Sequence, residues 1–263
     1  MALSSAALSM GIILSFLFWT WLQKWFSPWI SRRYFAERYA KLIEGAKGQG
    51  EEAKKLKKKL VDWDARIPGF LHGALASALS IYCCFYDEAM MADPLRATSN
   101  AWLVTVSVAA GFFAWDLYLC VSHFSVFGME FVIHASFCLV TYLICGYVQE
   151  HPFAWHASSL LMFELSTPFL HSRWAMIEFK WDPQLITYFT YMFAAAFFVA
   201  RILWGNFYAF PLIWRALVYG PKIPVWQAGM FWFNSILSAM INTYWMIFII
   251  KSGMKGKRKK KDA

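Results

Sequence analysis

Charged side chains are scarce in this sequence. Of its 263 residues only 16% are Asp, Glu, Lys or Arg, whereas 59% are hydrophobic and 20% aromatic. A soluble domain carries about a quarter charged residues and has no means of burying so much apolar surface. Because the apolar residues fall in long blocks, the composition excludes an ordinary soluble domain and predicts a chain surrounded by lipid.

The sequence also lacks the residue spacings of a metal site and the cysteine pattern of a disulfide framework. The cysteines are odd in number, lie in or beside apolar blocks and show no zinc-type spacing, which predicts reduced packing residues; they are Cys83, Cys84, Cys120, Cys138 and Cys145. No two histidines have a ligand spacing such as four residues on one predicted helix. The sequence therefore predicts no metal site, and it implies no cofactor.

Seven apolar runs approach the length of about 20 residues that a membrane-spanning helix needs. They lack the alternation of a barrel strand, and a span must satisfy its backbone hydrogen bonds internally, so they predict helices. No positive charge precedes the first run, which favours a spanning helix over a cleaved signal peptide. The predicted fold is an all-α polytopic transmembrane bundle of about seven spans: Ala6–Phe26, Pro68–Tyr86, Trp102–Val121, Phe127–Val148, Phe153–Trp174, Leu185–Phe210 and Val225–Ile250.

The net charge of +9 comes from loops and the tail, so we expect no nucleic-acid partner. Of the 25 Lys and Arg residues, 21 fall on one side of a seven-span chain and three on the other, while Arg201 lies within a span. Basic residues accumulate on the cytosolic side of membranes. The N-terminus is therefore expected in the lumen, and the segment between the first two spans and the C-terminus in the cytosol.

That segment, residues 27–67, contains three glycines and then the lysine run Lys54–Lys59. It is either a solvated charged loop or an interfacial basic helix, in which each lysine contributes on the order of 1 kcal/mol of attraction to anionic head groups. At the other end of the chain, Lys260 and Lys261 are the fourth and third residues from the C-terminus. These are the positions of a dilysine signal, which predicts retrieval to the endoplasmic reticulum by the COPI coat.

Ionisable and amide side chains interrupt the predicted spans, although a charge at mid-bilayer costs about 3 kcal/mol. Such groups need a partner or a function, so we predict that they converge on one interior cavity. His134 is either a hydrogen-bonded packing residue or a general base, with Asp116 as its candidate partner in catalysis. The polar residues assigned to the cavity are His72, Asp116, His134, Glu164, Pro168, His171, Arg201, Asn234 and Asn242.

The fifth predicted span combines a proline with an acidic residue. Pro168 has no N–H to offer the carbonyl of Glu164, so the helix is expected to kink and leave that carbonyl free. The Glu164 carboxylate either pairs with Arg201 inside the bundle or faces an open cavity that receives ligand head groups. The first alternative makes the kink structural, and the second makes it part of a binding site.

Four segments resemble the TLC-domain family, also called the TRAM/LAG1/CLN8 homology domain. They are KKLVDWDARIPGFLHG with His72, FYDEAMMADPL, FVIHASFCLVTY with His134, and ELSTPFLHSRW with Glu164 and Pro168. The likeness covers residues 57–250; an N-terminal helix (residues 1–26) and a basic loop (residues 27–56) precede it, and a basic tail (residues 251–263) follows. The resemblance implies a barrel of about six helices around a cavity open to lipid, in endoplasmic-reticulum or related membranes, with a role in lipid homeostasis.

The family also contains the ceramide synthases, which use two adjacent histidines and nearby aspartates to transfer an acyl group from acyl-CoA. This chain has His134 but carries Ala135 in place of the second histidine, so ceramide synthase activity is not expected. Three functions remain open. They are non-catalytic binding of an acyl chain, sphingolipid or sterol, acyl transfer by His134 with Asp116, and cargo reception or trafficking through the dilysine tail.

The charge asymmetry makes a topological prediction. Reporter tags or cysteine accessibility should place residue 50 and the C-terminus in the cytosol, and residue 95 in the lumen, because 21 of 25 basic residues lie on the first side. Finding the N-terminus on the same side as the C-terminus would contradict the seven-span topology.

Overall fold

The computed structural model describes residues 5–148, 153–219 and 223–261, and these ranges contain helices and no β-strand. The α-helices are α1 (Ser5–Trp21), α2 (Ser27–Tyr34), α3 (Ala36–Lys47), α4 (Glu51–Phe85), α5 (Glu88–Ala92), α6 (Asn100–Ser122), α7 (Phe124–Phe127), α8 (Met129–Tyr147), α9 (Ala154–Leu161), α10 (Thr167–Glu178), α11 (Pro183–Phe197), α12 (Phe210–Tyr219) and α13 (Val225–Lys261). Three helical stretches of different winding join some of them: the π-helices Leu22–Phe26 and Phe198–Ala209, and the 3₁₀-helix Met162–Ser166.

Within the described ranges, six helical segments are long and apolar enough to cross a membrane, judged by length and composition. They confirm an all-α polytopic bundle and match six of the seven predicted spans. The segments are Ser5–Tyr34, Glu51–Phe85, Asn100–Ser122, Met129–Tyr147, Pro183–Val218 and Val225–Lys251.

The fifth predicted span is a broken helix made of α9, the 3₁₀-helix and α10. It runs antiparallel to α4: at one end the indole N–H of Trp155 donates to the Cys84 carbonyl at 3.2 Å, and at the other Arg66 lies 4.9 Å from the Trp174 ring centre. The stretch of α4 between those contacts rises about 27 Å at 1.5 Å per residue, close to the thickness of the hydrocarbon core. The broken helix therefore makes a seventh passage through the bundle.

The first and last helices begin at the same end of the bundle. Ser9, near the start of α1, shares a hydrogen bond of 2.7 Å with the hydroxyl of Tyr147 at the end of α8. Phe231, near the start of α13, packs against Phe153, with ring centres 4.4 Å apart. From that end α13 runs back along the bundle, as α1 does. The retrieval residues Lys260 and Lys261 lie in the tail from residue 252 on, whose side chains are outside the described part.

The segment after the first span is helical rather than a solvated loop. Pro28 cannot donate to the carbonyl of Lys24, and the backbone widens into the π-helix, in which the N–H of Ser27 bonds to the carbonyl of Leu22. Gly50, at φ 93°, reverses the chain between α3 and α4. The chain thus forms a helical hairpin where a loop was one of the two alternatives.

The hairpin has its own small core, at the end of the bundle where the lysine run Lys54–Lys59 lies; we call this the basic end. Tyr39, Leu42 and Trp63 are buried there, and the Tyr39 hydroxyl donates to Asp64 at 2.7 Å. Burial raises the pKa of the Tyr39 phenol well above its ordinary value, so it remains a donor. Glu178 of α10 accepts from Lys59 at 2.7 Å, and this contact ties the hairpin to the end of the broken helix.

Two glycines allow the close packing that shapes the interior. α6 is a central helix against which both α1 and α8 pack, and a Cβ on Gly111 would lie 2.8 Å from the carbonyl oxygen of Ile12 in α1. On α4, a Cβ on Gly73 would lie 2.8 Å from Cβ of Thr167, at the start of α10. Side chains at these positions would push the helices apart, so glycine sets where α1 and the broken helix lie.

Candidate functional site

A cavity of about 70 Å³ lies inside the bundle, where α6, α8, α13, the 3₁₀-helix and the π-helix of the sixth span meet. Its wall is mixed, with apolar rings and aliphatic groups interrupted by polar side chains. Five of the residues assigned to an interior cavity from the sequence line it, namely His134, Glu164, Arg201, Asn234 and Asn242. Polar groups from four separate helical segments therefore converge as expected.

Arg201 enters the cavity from the long π-helix. Pro211 has no N–H for the carbonyl of Phe207, and at the junction the N–H of Phe210 bonds to the carbonyl of Gly205, five residues back. The wider winding of a π-helix changes the direction in which its side chains project, and such stretches are frequent at functional sites. Here it accompanies an arginine that is only 7% exposed.

The guanidinium of Arg201 is held by one amide and three aromatic rings. Its Nη1 donates to Oδ1 of Asn242 at 3.3 Å. Its central carbon lies 5.1 Å from the ring centre of Phe197 and 5.7 Å from those of Phe163 and Trp245. The Nε–H is buried and has no hydrogen-bond partner among the described residues. An arginine has five N–H donors, so this site leaves donor capacity for a group that enters the cavity.

Glu164 lies on the 3₁₀-helix that breaks the fifth span. The interruption expected near Pro168 is present, with the winding tightened over Met162–Ser166 and the α-helix resuming at Thr167. The expectation of a free Glu164 carbonyl is wrong, because the N–H of Thr167 bonds to it in the tighter 3₁₀ pattern. The break leaves this carbonyl satisfied and places the carboxylate at the cavity wall.

The direct Glu164–Arg201 ion pair, one of the two alternatives considered for Glu164, is not formed. Among the described ion pairs, the partner of Glu164 is His72, whose Nδ1 lies 3.9 Å from Oε2, beyond hydrogen-bond distance. His72 is fully buried and stacks on Phe112 with ring centres 3.5 Å apart. Glu164 and Arg201 line one cavity without a contact ion pair across it.

His134 lies on the cavity wall without its expected acidic partner. The Sγ atom of Cys138, one turn along α8, is 3.8 Å from Nε2 of His134, and the Trp245 ring centre is 6.4 Å away. Asp116 does not line the cavity, and its described contact is the thiol of Cys120 at 3.7 Å. The pair needed for general-base catalysis by His134 and Asp116 is therefore not assembled.

Asn234 and Asn242 of α13 line the cavity, and Asn234 connects this helix to α8. Asn234 donates to the hydroxyl of Thr141 at 2.8 Å and accepts from Ser238 at 3.2 Å. Besides His72 and Asp116, two further residues assigned to the cavity do not line it: Pro168 packs near Gly73, and His171 packs against Gly69. Both belong to the contact between α4 and α10 rather than to the cavity.

The aromatic rings around Arg201 belong to the candidate site but were not predicted from the sequence. Phe197 precedes Arg201 by four residues and Trp245 follows Asn242 by three, so each shares a helix face with a polar cavity residue. That spacing was available from the sequence. Aromatic residues make up 20% of this chain, however, and they occur at helical spacing from most positions, so the signal has little selectivity.

Comparison with known proteins gives one consistent family. A family model described as a TLC domain matches residues 62–251. The chain is 25% identical over 211 residues to TLC domain-containing protein 4 of Homo sapiens, covering 75% of this chain and 76% of that protein. It is 28% identical over 257 residues to an uncharacterised TLC domain-containing protein of Schizosaccharomyces pombe, covering 94% and 80%. It is 25% identical over 197 residues to protein CLN8 of Homo sapiens, covering 70% and 66%.

The hydrogen bond between Arg201 and Asn242 predicts an energetic coupling. Asn242→Ala should destabilise the protein by about 1.5–3 kcal/mol, because a buried charged donor loses its acceptor. In an Arg201→Met background the same substitution should cost little, and the thermal transition of the purified protein in detergent measures both effects. Ser238→Ala, on the same face of α13, is the control and should behave alike in both backgrounds. Additive losses from Arg201→Met and Asn242→Ala would contradict the described contact.

Proposed function

The chain belongs to the TLC domain family, and on this premise we propose that it binds a membrane lipid by its anionic head group beside Arg201 and acts in lipid homeostasis. The observation that carries the proposal is the buried Arg201 guanidinium, whose Nε–H is unpartnered at the cavity. A carboxylate or phosphate oxygen accepts such donors in pairs, with matching geometry and charge.

Excluding water from the surroundings of Arg201 strengthens the attraction between its guanidinium and an anion. Arg201 is 7% exposed and surrounded by the rings of Phe163, Phe197 and Trp245, which supply a favourable face to a cation but no negative charge. An ionised arginine at this depth remains costly until an anion is near it. A lipid head group that enters the cavity supplies that charge, so binding would relieve part of the cost.

The size of the cavity supports a head group rather than a whole lipid. Its volume is about 70 Å³, and a long acyl chain occupies several times that space. Ile133 lines the cavity and is also 39% exposed. In the proposal the apolar chains therefore lie outside, along α8, and the polar end reaches inward.

Glu164 adds a second requirement on the ligand. Its carboxylate lines the cavity and does not neutralise Arg201 at contact distance. A hydroxyl or ammonium group next to the ligand's anion would donate to it, since an ionised carboxylate is an acceptor only. The chemical class proposed is a lipid that carries an anion and a hydrogen-bond donor in one head group.

Acyl transfer is the second candidate, and His134 in the wall of the same cavity is the observation that favours it. Two features weigh against this candidate. Ala135 is a fully buried alanine in the place of the second histidine, and the described contact of Asp116 is Cys120 rather than His134. Binding without turnover is therefore the preferred function.

Lipid retention tests the two functions together. Mass spectrometry of lipid that copurifies in mild detergent should show an anionic species, reduced about tenfold or more by Arg201→Gln because charge-assisted hydrogen bonds are lost. Arg173→Gln is the matched control, since Arg173 donates to Thr190 at 2.8 Å outside the cavity. Equal retention by the folded Arg201→Gln protein would contradict the proposal. Acyl-CoA turnover that disappears in His134→Ala would support the second candidate instead.

We also propose that the protein resides in the endoplasmic reticulum, a proposal supported by Lys260 and Lys261 at the fourth and third positions from the C-terminus. Replacing both with serine should let a tagged protein move forward along the secretory pathway, because a coat that reads lysine charges loses its ligand. Substituting Lys257 and Lys259 in the same way is the control. An unchanged reticular distribution after the first change would contradict a role of this signal.

A further inference from the structure

A second recess lies at the basic end of the bundle, away from the cavity around Arg201. It has a volume of about 870 Å³ and lies between the helical stretch that ends the first span and the hairpin of α3 and α4. We call it the interface groove and define it by Trp21, Lys24, Trp25, Trp29, Arg32 and Asp64, which line it. None of these residues lines the cavity.

Three tryptophans form one wall of the interface groove. Trp21, Trp25 and Trp29 follow each other at intervals of four residues, and their side chains are 49%, 70% and 58% exposed. Phe26 stacks between two of them, with ring centres 5.7 Å from Trp21 and 5.9 Å from Trp29. Indoles concentrate where a membrane span enters the head-group layer, because they combine an apolar ring with an N–H donor. The groove thus lies at head-group depth.

Two cations of the groove form no contact ion pair, although Arg32 lies within electrostatic range of Asp64. Neither Lys24 nor Arg32 has a carboxylate oxygen within 4 Å among the described ion pairs, and the Lys24 ammonium lies 5.9 Å from the ring centre of Tyr118. The one acid in the lining, Asp64, accepts the hydroxyl of Tyr39 at 2.7 Å. The groove therefore carries more positive than negative charge.

The lysine run of α4 differs from the groove in this respect. Lys54 pairs with Glu51 and Lys59 pairs with Glu178, each at 2.7 Å, while Lys57 and Lys58 are exposed and line no described recess. These lysines attract an anionic surface as a group. Lys24 and Arg32 are exposed as well, but they line one groove together with aromatic rings, which is the arrangement of a site for one molecule.

An apolar track leads away from the groove. Leu14, Leu17 and Phe18, on the α1 turns before Trp21, are 58%, 54% and 47% exposed. We propose that the interface groove binds an anionic phospholipid, with its phosphate between Lys24 and Arg32 and its acyl chains along this surface of α1. The site is independent of the ligand proposed for Arg201, since the two share no residue.

Photocross-linking tests the proposal at the level of the site. The purified full-length chain is titrated in detergent with phosphatidylserine that carries a diazirine in an acyl chain, and cross-linked peptides are quantified by mass spectrometry. Peptides from residues 10–34 should saturate, and the half-saturating concentration should rise about fivefold for each cation removed in Lys24→Gln/Arg32→Gln. Lys57→Gln/Lys58→Gln removes the same charge from the neighbouring run and should change it less than twofold.

Three results would overturn the proposal: an equal loss in both double variants, equal saturation by phosphatidylcholine with the same chains, or an unchanged titration in Lys24→Gln/Arg32→Gln. If that variant fails to fold, two other variants test the site. Lys24→Arg/Arg32→Lys keeps both charges and must fold and cross-link like the native chain. Lys24→Gln alone must raise the half-saturating concentration about fivefold. Cross-linking near Arg201 should be unaffected by the groove variants, so failure of one site is distinguishable from failure of the other.

Discussion

The guanidinium of Arg201 is the constraint around which the interior of this bundle is arranged. A charge at this depth is expensive, at about 3 kcal/mol or more, and the protein meets the cost with partners from several helical segments. Asn242 of α13 accepts one hydrogen bond, and rings of Phe163, Phe197 and Trp245 surround the cation. The Nε–H remains unpartnered, and this unused donor is the basis for the proposed anionic ligand.

The break in the fifth span also serves to place a polar side chain at this cavity. In a regular helix the Glu164 carbonyl would have no donor, because Pro168 lacks an N–H. The 3₁₀-helix satisfies this carbonyl locally and leaves the Glu164 carboxylate at the cavity. The break needs shielding from lipid, and α4 supplies it through the close approach of Gly73 to Thr167. Packing along α4 therefore allows a polar, irregular segment to cross the bundle.

The long-range organisation of the chain could be predicted because hydropathy and length determine it directly. Six apolar runs form helices with the length and composition of membrane spans, and the fifth predicted run, which contains Glu164 and Pro168, is the one that is broken. The convergence of His134, Glu164 and Arg201 also followed, since polar groups avoid lipid. The contact partner of each of these polar groups could not be predicted from the sequence. The direction of Arg201 depends on the π-helix before Pro211, and this winding has no hydropathy signature. Asp116 was assigned to the cavity but does not line it, because a single acidic residue on an otherwise apolar helix gives no spacing that shows where it faces.

The most direct test of the central claim is to observe what lies beside Arg201 in a bilayer. A high-resolution electron cryomicroscopy map of the chain in lipid nanodiscs should show non-protein density within about 3 Å of the guanidinium, at hydrogen-bond distance. That density should continue toward Ile133 as an elongated lipid chain. A map in which the Glu164 carboxylate contacts Arg201 and no lipid enters the cavity would contradict the account.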